Sequence, residues 1–220
     1  MKVLVVGANG GVAKHFANFV VEHPSIEEKA VIRNAEQARF FEARGIETVL
    51  LDIVYDSIED FTTAMRDVDA VVFSAGAAGS GLDKTVMIDF DGAIKIMTAA
   101  EMANVQRFIM VSTFQTGRDV IAKQIKEDAS LKIYTIAKHY ADDWLKNRTN
   151  LDWTIIHPGI LTNAAGSGMI KVGQQQSIEE ISREDVAEVI LRCLENEHSI
   201  GKEFEILAGS TPVAEAIASI

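Results

Sequence analysis

Cysteine is nearly absent. Cys193 stands alone in 220 residues, so no internal disulfide can form. It shares an apolar helical face with Val186, Val189, Ile190 and Leu194, a pattern that predicts a buried structural thiol and not a nucleophile. Histidine is also sparse. His15, His23, His139, His157 and His198 show no metal-like spacing with carboxylates or cysteine, so no metal site is expected, and His157 reads as a strand-end residue satisfied by hydrogen bonds. Positive charge is in deficit, 21 Lys and Arg against 32 Asp and Glu. The resulting net charge of −11 repels nucleic acid and anionic membranes, so neither is expected as a partner. No apolar run approaches the roughly 20 residues needed to cross a bilayer, and the first residues run straight into a strand pattern, which points to a cytoplasmic protein. Internal repeats, low-complexity tracts, Pro/Gly/Ser-rich linkers and a Gly-x-Ser-x-Gly elbow are all missing.

What is present is alternation. Apolar runs at Val3–Val6, Lys29–Ile32, Thr48–Leu51, Ala70–Phe73, Phe108–Val111, Thr154–Ile156 and Phe204–Leu207 are separated by helical patterns starting near Gly10, Asn34, Ser57, Asp83, Tyr134, Ser182 and Pro212. Ser57-x-x-Asp60 and Ser182-x-x-Asp185 resemble capping boxes. The expected fold is α/β: a Rossmann-like, doubly wound, mostly parallel seven-stranded sheet with helices on both faces, formed by residues 1–220 as one domain. Two stretches fit no regular element, 112–132 and 161–181. Both follow strand carboxyl ends, where ligands bind in such folds, and both are expected to be substrate loops.

The first strand runs into "VVGANGGVAKHF". Gly7 and Gly10 allow a tight turn, and Val12, Phe16, Phe19 and Val20 give the following helix an apolar face. A helix N-terminus offers unpaired N–H groups and a positive dipole end, so Gly7, Asn9, Gly10, Gly11 and Val12 are expected to cradle a phosphate or pyrophosphate. The third position of the glycine spacing is Ala13. At the end of the second strand Arg33 occupies the place where an acid would hold ribose hydroxyls. A guanidinium there favours NADP over NAD, the other reading being a surface arginine. Lys14 could assist. Asp52, with Ile53, closes the third strand and either faces the adenine or caps its own loop. Ser74, Ala75 and Gly76 end the fourth strand with side chains small enough for a cofactor to lie against the backbone.

Further on, "RFIMVST" ends in Ser112, and "YTIAKHYADDWL" places Tyr134 and Lys138 four apart on one helical face. Carbonyl reduction needs a proton for the developing alkoxide, and a phenol with a pKa of about 10 supplies it well only beside a cation. Ser112 would hold the substrate oxygen, Tyr134 would act as general acid in reduction or base in oxidation, and Lys138 would ease the phenol's ionisation and bind the nicotinamide ribose. Pro158 and Gly159 end the sixth strand beside the expected nicotinamide.

The ordered set "VVGANGGVAKHF", "VIRNAEQ", "VVFSAG", "DFDGAIKIMTAAEMANVQRFIMVST", "YTIAKHYADDWL", "LDWTIIHPGILT", "ISREDVAEVI" and "FEILAGSTPVAEAI" resembles the atypical short-chain dehydrogenase/reductases. It is most similar to the small bacterial NAD(P)-binding, NmrA-like and biliverdin-reductase-B-like group. That resemblance spans nearly the whole chain. It implies NADP in the cleft of a Rossmann fold, Gly7, Gly10 and Ala13 at the pyrophosphate, Arg33 at the 2′-phosphate, and Ser112, Tyr134 and Lys138 near the nicotinamide. His157 stands where the group usually has Arg before Pro-Gly, and Ser112 precedes Tyr134 by 22 positions, more than in ordinary short-chain dehydrogenases. The function implied is hydride transfer between NADPH and a small carbonyl, quinone or similar acceptor. Because the group includes nucleotide-binding proteins without clear catalysis, a non-catalytic regulator or redox sensor is the alternative. The expected partner is a small-molecule substrate, and the chain is expected to be a monomer or homodimer.

Overall fold

The structure is a computed structural model that describes residues 1–77, 79–173 and 177–220. The first six strands of the main sheet are β1 (Lys2–Val6), β2 (Glu27–Ile32), β3 (Glu47–Leu50), β4 (Ala70–Phe73), β5 (Arg107–Val111) and β6 (Asp152–Pro158). After them come β7 (Ile160–Thr162), β8 (Met169–Gly173), β9 (Glu180–Ser182), β10 (Lys202–Ala208) and β11 (Thr211–Pro212). In space the main sheet runs β11-β8-β10-β6-β5-β4-β1-β2-β3, and β7 pairs with β9 in a separate parallel ribbon. From β3 to β10 every pairing is parallel, while β8 runs antiparallel to β10 and β11 antiparallel to β8. All seven expected strands are therefore present, but among the described residues the sheet has nine. The added pair comes from the C-terminal edge, where a short antiparallel strand caps an otherwise parallel sheet.

Alternation along the strands sends side chains to two cores. Val3, Val5, Ala30, Ile32 and Val72 face α1 (Gly11–Val21) and α8 (Arg183–Glu195) through Phe16, Val20, Val186 and Ile190. Leu4, Val6, Val71, Phe73 and Phe108 face the opposite layer. That layer holds α3 (Ile58–Ala64), α5 (Ala93–Ala103) and α7 (Lys132–Arg148), which contribute Phe61, Ile96, Met97 and Leu145. Short helices α2 (Ala38–Glu42), α4 (Leu82–Lys84), α6 (Arg118–Lys126) and α9 (Val213–Ala218) complete the set, and a π-helical stretch at Thr85–Gly92 joins α4 to α5. Both predicted caps form: Ser57 accepts from the Asp60 N–H in a full capping box, and Ser182 accepts from the Asp185 N–H at 2.9 Å.

The two expected loops need correction. Residues 112–132 contain α6, whose apolar side holds only one buried residue, Ile121, so its period was hidden among charges, and α7 begins at Lys132. Residues 161–181 hold the end of β7, all of β8 and most of β9. Gln174–Gln176 of this stretch lie outside the described residues, as does Ala78 after the fourth strand. Cys193 is fully buried, and burial pushes its thiol up to about 12, which suits packing and not reactivity. One core group defies the pattern: Glu28 on β2 is 4% exposed, and neither carboxylate oxygen has a hydrogen-bond partner among the described residues. Burial pushes it up to about 8, so it supports the fold fully below the ordinary glutamate value and withdraws that support as pH rises through about 8. Among the described residues no helix is long and apolar enough to cross a membrane.

Candidate functional site

From β1 the chain winds outward through β2 and β3, then returns to place β4 on the other side of β1. A crevice opens at the carboxyl ends of β1 and β4, where such sheets bind ligands. Gly7 lies at its base with φ +86°, and a Cβ there would stand 2.6 Å from the Ala75 Cα, so β1 and β4 approach too closely for any side chain. The Gly10 N–H donates to the Gly7 carbonyl at 2.9 Å, closing the turn, and Gly10 caps α1 with no side chain in the way. The first N–H groups of α1, from Gly11 onward, consequently point into the crevice end without helical partners.

Two adjoining cavities fill the crevice. The first, about 270 Å³, is lined by Gly7, Asn9, Gly10, Arg33, Asp52, Ile53, Ser74, Ala75 and Gly76, all among the expected cofactor residues. Gln37 joins them, its side-chain oxygen accepting from the Arg33 N–H at 3.2 Å. Asp52 uses Oδ1 to accept from the Val54 N–H at 2.8 Å, so it caps its loop as well as facing the cavity. Lys95 pins that loop, donating to the carbonyls of Ile53 at 2.7 Å and Asp56 at 2.8 Å. Lys14 does not line either cavity; its ammonium lies 5.3 Å from the centre of the Phe40 ring.

The second cavity, about 560 Å³, shares Gly10, Ser74, Ala75 and Gly76 and adds Gly11, Val12, Ser112, Tyr134 and Lys138. Lys138 is 2% exposed and 3.2 Å from Asp89 Oδ1, and it also reaches the carbonyls of Val111 at 3.3 Å and Ala75 at 3.4 Å. Asp89 is fully buried, and its Oδ2 accepts from the Ala77 N–H at 2.9 Å. Burial works against the Lys138 charge, but Tyr134, Asp89 and Asp142 together outweigh it and raise the ammonium's pKa. The Tyr134 ring centre is 5.9 Å from Lys138 Nζ. Behind Ser112 lies a further acid, Asp142, whose Oδ2 accepts from the Ser112 hydroxyl at 2.6 Å. His157 is buried nearby with Nδ1 2.8 Å from the Thr113 carbonyl, a strand-end hydrogen bond as its place on β6 suggests.

Pro158 and Gly159 line neither cavity. A Cβ at Gly159 would meet the Glu179 carbonyl oxygen at 2.2 Å and Leu207 Cδ2 at 2.3 Å, so this glycine lets the residue before β9 and a side chain of β10 close on the β6–β7 junction. Three functional groups escaped the sequence analysis. Asp89 is delivered by the π-helical stretch, whose altered winding breaks the usual helical phase. Asp142 falls four residues after Lys138 and eight after Tyr134, on the same helical face, a signal that spacing alone could have supplied. Arg183 lines the second cavity, with its Cδ only 2.5 Å from where a Gly11 Cβ would stand. Its guanidinium donates to Leu161 O at 3.1 Å and to Asn163 Oδ1 at 2.8 Å.

A glycine-turned β1–α1 junction at the switch point of a doubly wound sheet defines a dinucleotide-binding protein. The chain belongs to the NAD(P)H-binding family, whose pattern matches residues 7–197. It is 37% identical to the uncharacterized sugar epimerase YhfK of Bacillus subtilis, over 99% of both chains. A Bacillus halodurans structure provisionally described as an NAD-dependent epimerase/dehydratase superposes with a TM-score of 0.90 at 39% identity, covering all of both chains. The oxidoreductase ylbE of Lactococcus lactis superposes with a TM-score of 0.84 at 31% identity, covering all of this chain and 96% of that one. These findings bear out the resemblance to atypical short-chain dehydrogenase/reductases.

Proposed function

We propose that the protein is an NADP(H)-dependent oxidoreductase that passes hydride between NADPH and a small carbonyl, quinone or similar acceptor. The observation that carries this is the convergence of Tyr134 and Lys138 on a cavity continuous with the Gly7–Gly10 turn. NADPH, when bound, supplies the hydride. The α1 N–H groups and the Gly7 cradle suit its pyrophosphate, and the exposed Arg33 at the far end of the first cavity suits a 2′-phosphate. Tyr134 protonates the acceptor oxygen, and the Lys138 cation, fixed by Asp89, favours the phenolate left behind. For an acceptor that takes its proton from water, Tyr134 serves only to orient it.

The epimerase names of relatives 37% and 39% identical favour a second reading, in which the same groups remove and return hydride on one substrate. Following NADPH oxidation against a panel of aldehydes and quinones separates the readings. Under the first, Tyr134→Phe lowers aldehyde turnover on the order of 10²- to 10⁴-fold and leaves the NADPH Kd unchanged. Equal turnover in the variant removes Tyr134 as the acid. Tight nucleotide binding with no turnover on any acceptor favours an epimerase or a nucleotide-sensing regulator, and binding of neither NADPH nor NADH ends the oxidoreductase reading.

A further inference from the structure

Ser112 lines the second cavity, and its Oγ lies 2.6 Å from Asp142 Oδ2, a hydrogen bond whose donor is set by the charge of the acid. A serine that gives its only hydrogen to a carboxylate can offer the cavity lone pairs alone. That is the wrong polarity for holding a carbonyl oxygen on its way to an alkoxide, which needs a donor. Asp142 is 1% exposed, and its Oδ1 has no hydrogen-bond partner among the described residues. A neutral carboxyl, donating through Oδ2 to Ser112 and leaving Oδ1 as a carbonyl, matches these surroundings better than a carboxylate with one bare oxygen.

We infer that Asp142 is a positioning residue that sets the hydrogen-bonding polarity of Ser112. As a neutral acid it donates to Ser112 Oγ and frees the hydroxyl hydrogen to point into the cavity; as a carboxylate it takes that hydrogen for itself. This rests on the carbonyl-reducing reading of the cavity, and it makes reduction depend on a proton that never reaches the substrate.

The charged groups around Asp142 oppose one another. Lys138, His139 and Lys146 share its helix, and His157 faces it from β6. Asp89 reaches it from the π-helical stretch only through Lys138, and Arg118 of α6 acts on the outer side, against the Tyr140 ring and His139. Burial raises the Asp142 carboxyl above its ordinary range, and His157, the Ser112 hydroxyl, Lys138 and Lys146 pull it back without cancelling that rise. The neutral form is thus lost only as pH climbs past the ordinary carboxylate value, and carbonyl reduction should fall with it.

The test is carbon-13 NMR of the full chain labelled at aspartate Cγ and serine Cβ, assigned with Asp142→Asn and Ser112→Ala. The expected result is an Asp142 Cγ midpoint above the ordinary aspartate range, with Ser112 Cβ moving at the same midpoint. Ser112→Ala should push the Asp142 midpoint higher, because the charged form loses its donor, and Asp142→Asn should leave Ser112 Cβ flat. An Asp142 midpoint in the ordinary range, or a Ser112 Cβ that ignores the titration, overturns the inference. If Asp142→Asn does not fold, the wild-type and Ser112→Ala spectra still decide it.

Kinetics add an independent arm. With 4-nitrobenzaldehyde as probe, kcat should fall up to tenfold per pH unit above the Asp142 midpoint while the NADPH Kd stays level; a pH effect confined to the Kd counts against the inference. Absence of turnover or of nucleotide binding would end the oxidoreductase reading, and the NMR result would still stand or fall by itself.

Discussion

On the Gly7 side of the crevice, the groups at the cavity are main-chain N–H groups at the start of α1 and an exposed guanidinium, Arg33. On the Lys138 side they are side chains: Lys138 and Ser112 are almost wholly buried, and each is held by an acid that is itself inaccessible. The first half works because nothing protrudes, so its tolerance is set by where a Cβ can fit. At Lys138 and Asp89 the second works through mutual neutralisation, so removing one member exposes the other to the full cost of an uncompensated charge. A single crevice thus joins a half limited by space to a half limited by charge, and the two should fail differently.

The largest effect expected is at the buried pair. Lys138→Met leaves Asp89 fully buried with its ammonium gone, which should cost about 3–5 kcal/mol in urea-induced unfolding. Lys138→Met combined with Asp89→Asn should recover much of that loss, since the second change removes the stranded charge. A single variant that loses under about 1 kcal/mol would mean that the pair is solvated in solution, and the contrast between the halves would weaken.

That contrast also explains what could be read before any coordinates. The strand runs that became β1, β4, β5 and β6, the Gly7–Gly10 turn and the Ser57 and Ser182 caps all depend on neighbours in the chain, and all were legible. So was the Tyr134–Lys138 face. Asp89 was not, because the π-helical winding of Thr85–Gly92 shifts it out of the phase that a helical pattern assumes. Nor were β8 and β11: five and two residues of mixed polarity carry no period, and their pairing is decided by distant partners, β10 for β8 and β8 in turn for β11. Pro158 and Gly159 end a strand at the level expected for a cofactor yet line neither cavity, and the close approach of Glu179 to Gly159 is a contact between segments distant in sequence.

A second break targets the half limited by space. Gly7→Ala forces a Cβ to within 2.6 Å of the Ala75 backbone at a φ of +86°, and should cost about 1–3 kcal/mol in stability along with nucleotide affinity. Gly45→Ala is the matched comparison, with φ +70° and nothing within 4 Å of the new Cβ. It should show the backbone penalty alone, about 1 kcal/mol, with nucleotide binding intact. Equal losses at the two positions would mean that the approach of β1 to β4 relaxes freely and that the crevice floor is not defined by Gly7.

The smallest effect should be the most selective. Arg33 is exposed, so under the proposed NADP(H) reading a contact with a 2′-phosphate would be partly screened and worth less than the roughly 1.5–3 kcal/mol of a charge-assisted hydrogen bond away from bulk water. Arg33→Ala should therefore raise the NADPH Kd about tenfold, near 1.4 kcal/mol, and leave the NADH Kd where it was. The NADPH difference should shrink as salt is added, whereas the Gly7→Ala loss, being steric, should not. A parallel loss of NADH binding would assign Arg33 a different task. Its N–H is already held by Gln37 at 3.2 Å, and the side chain would then be shaping that turn for either nucleotide instead of choosing between them.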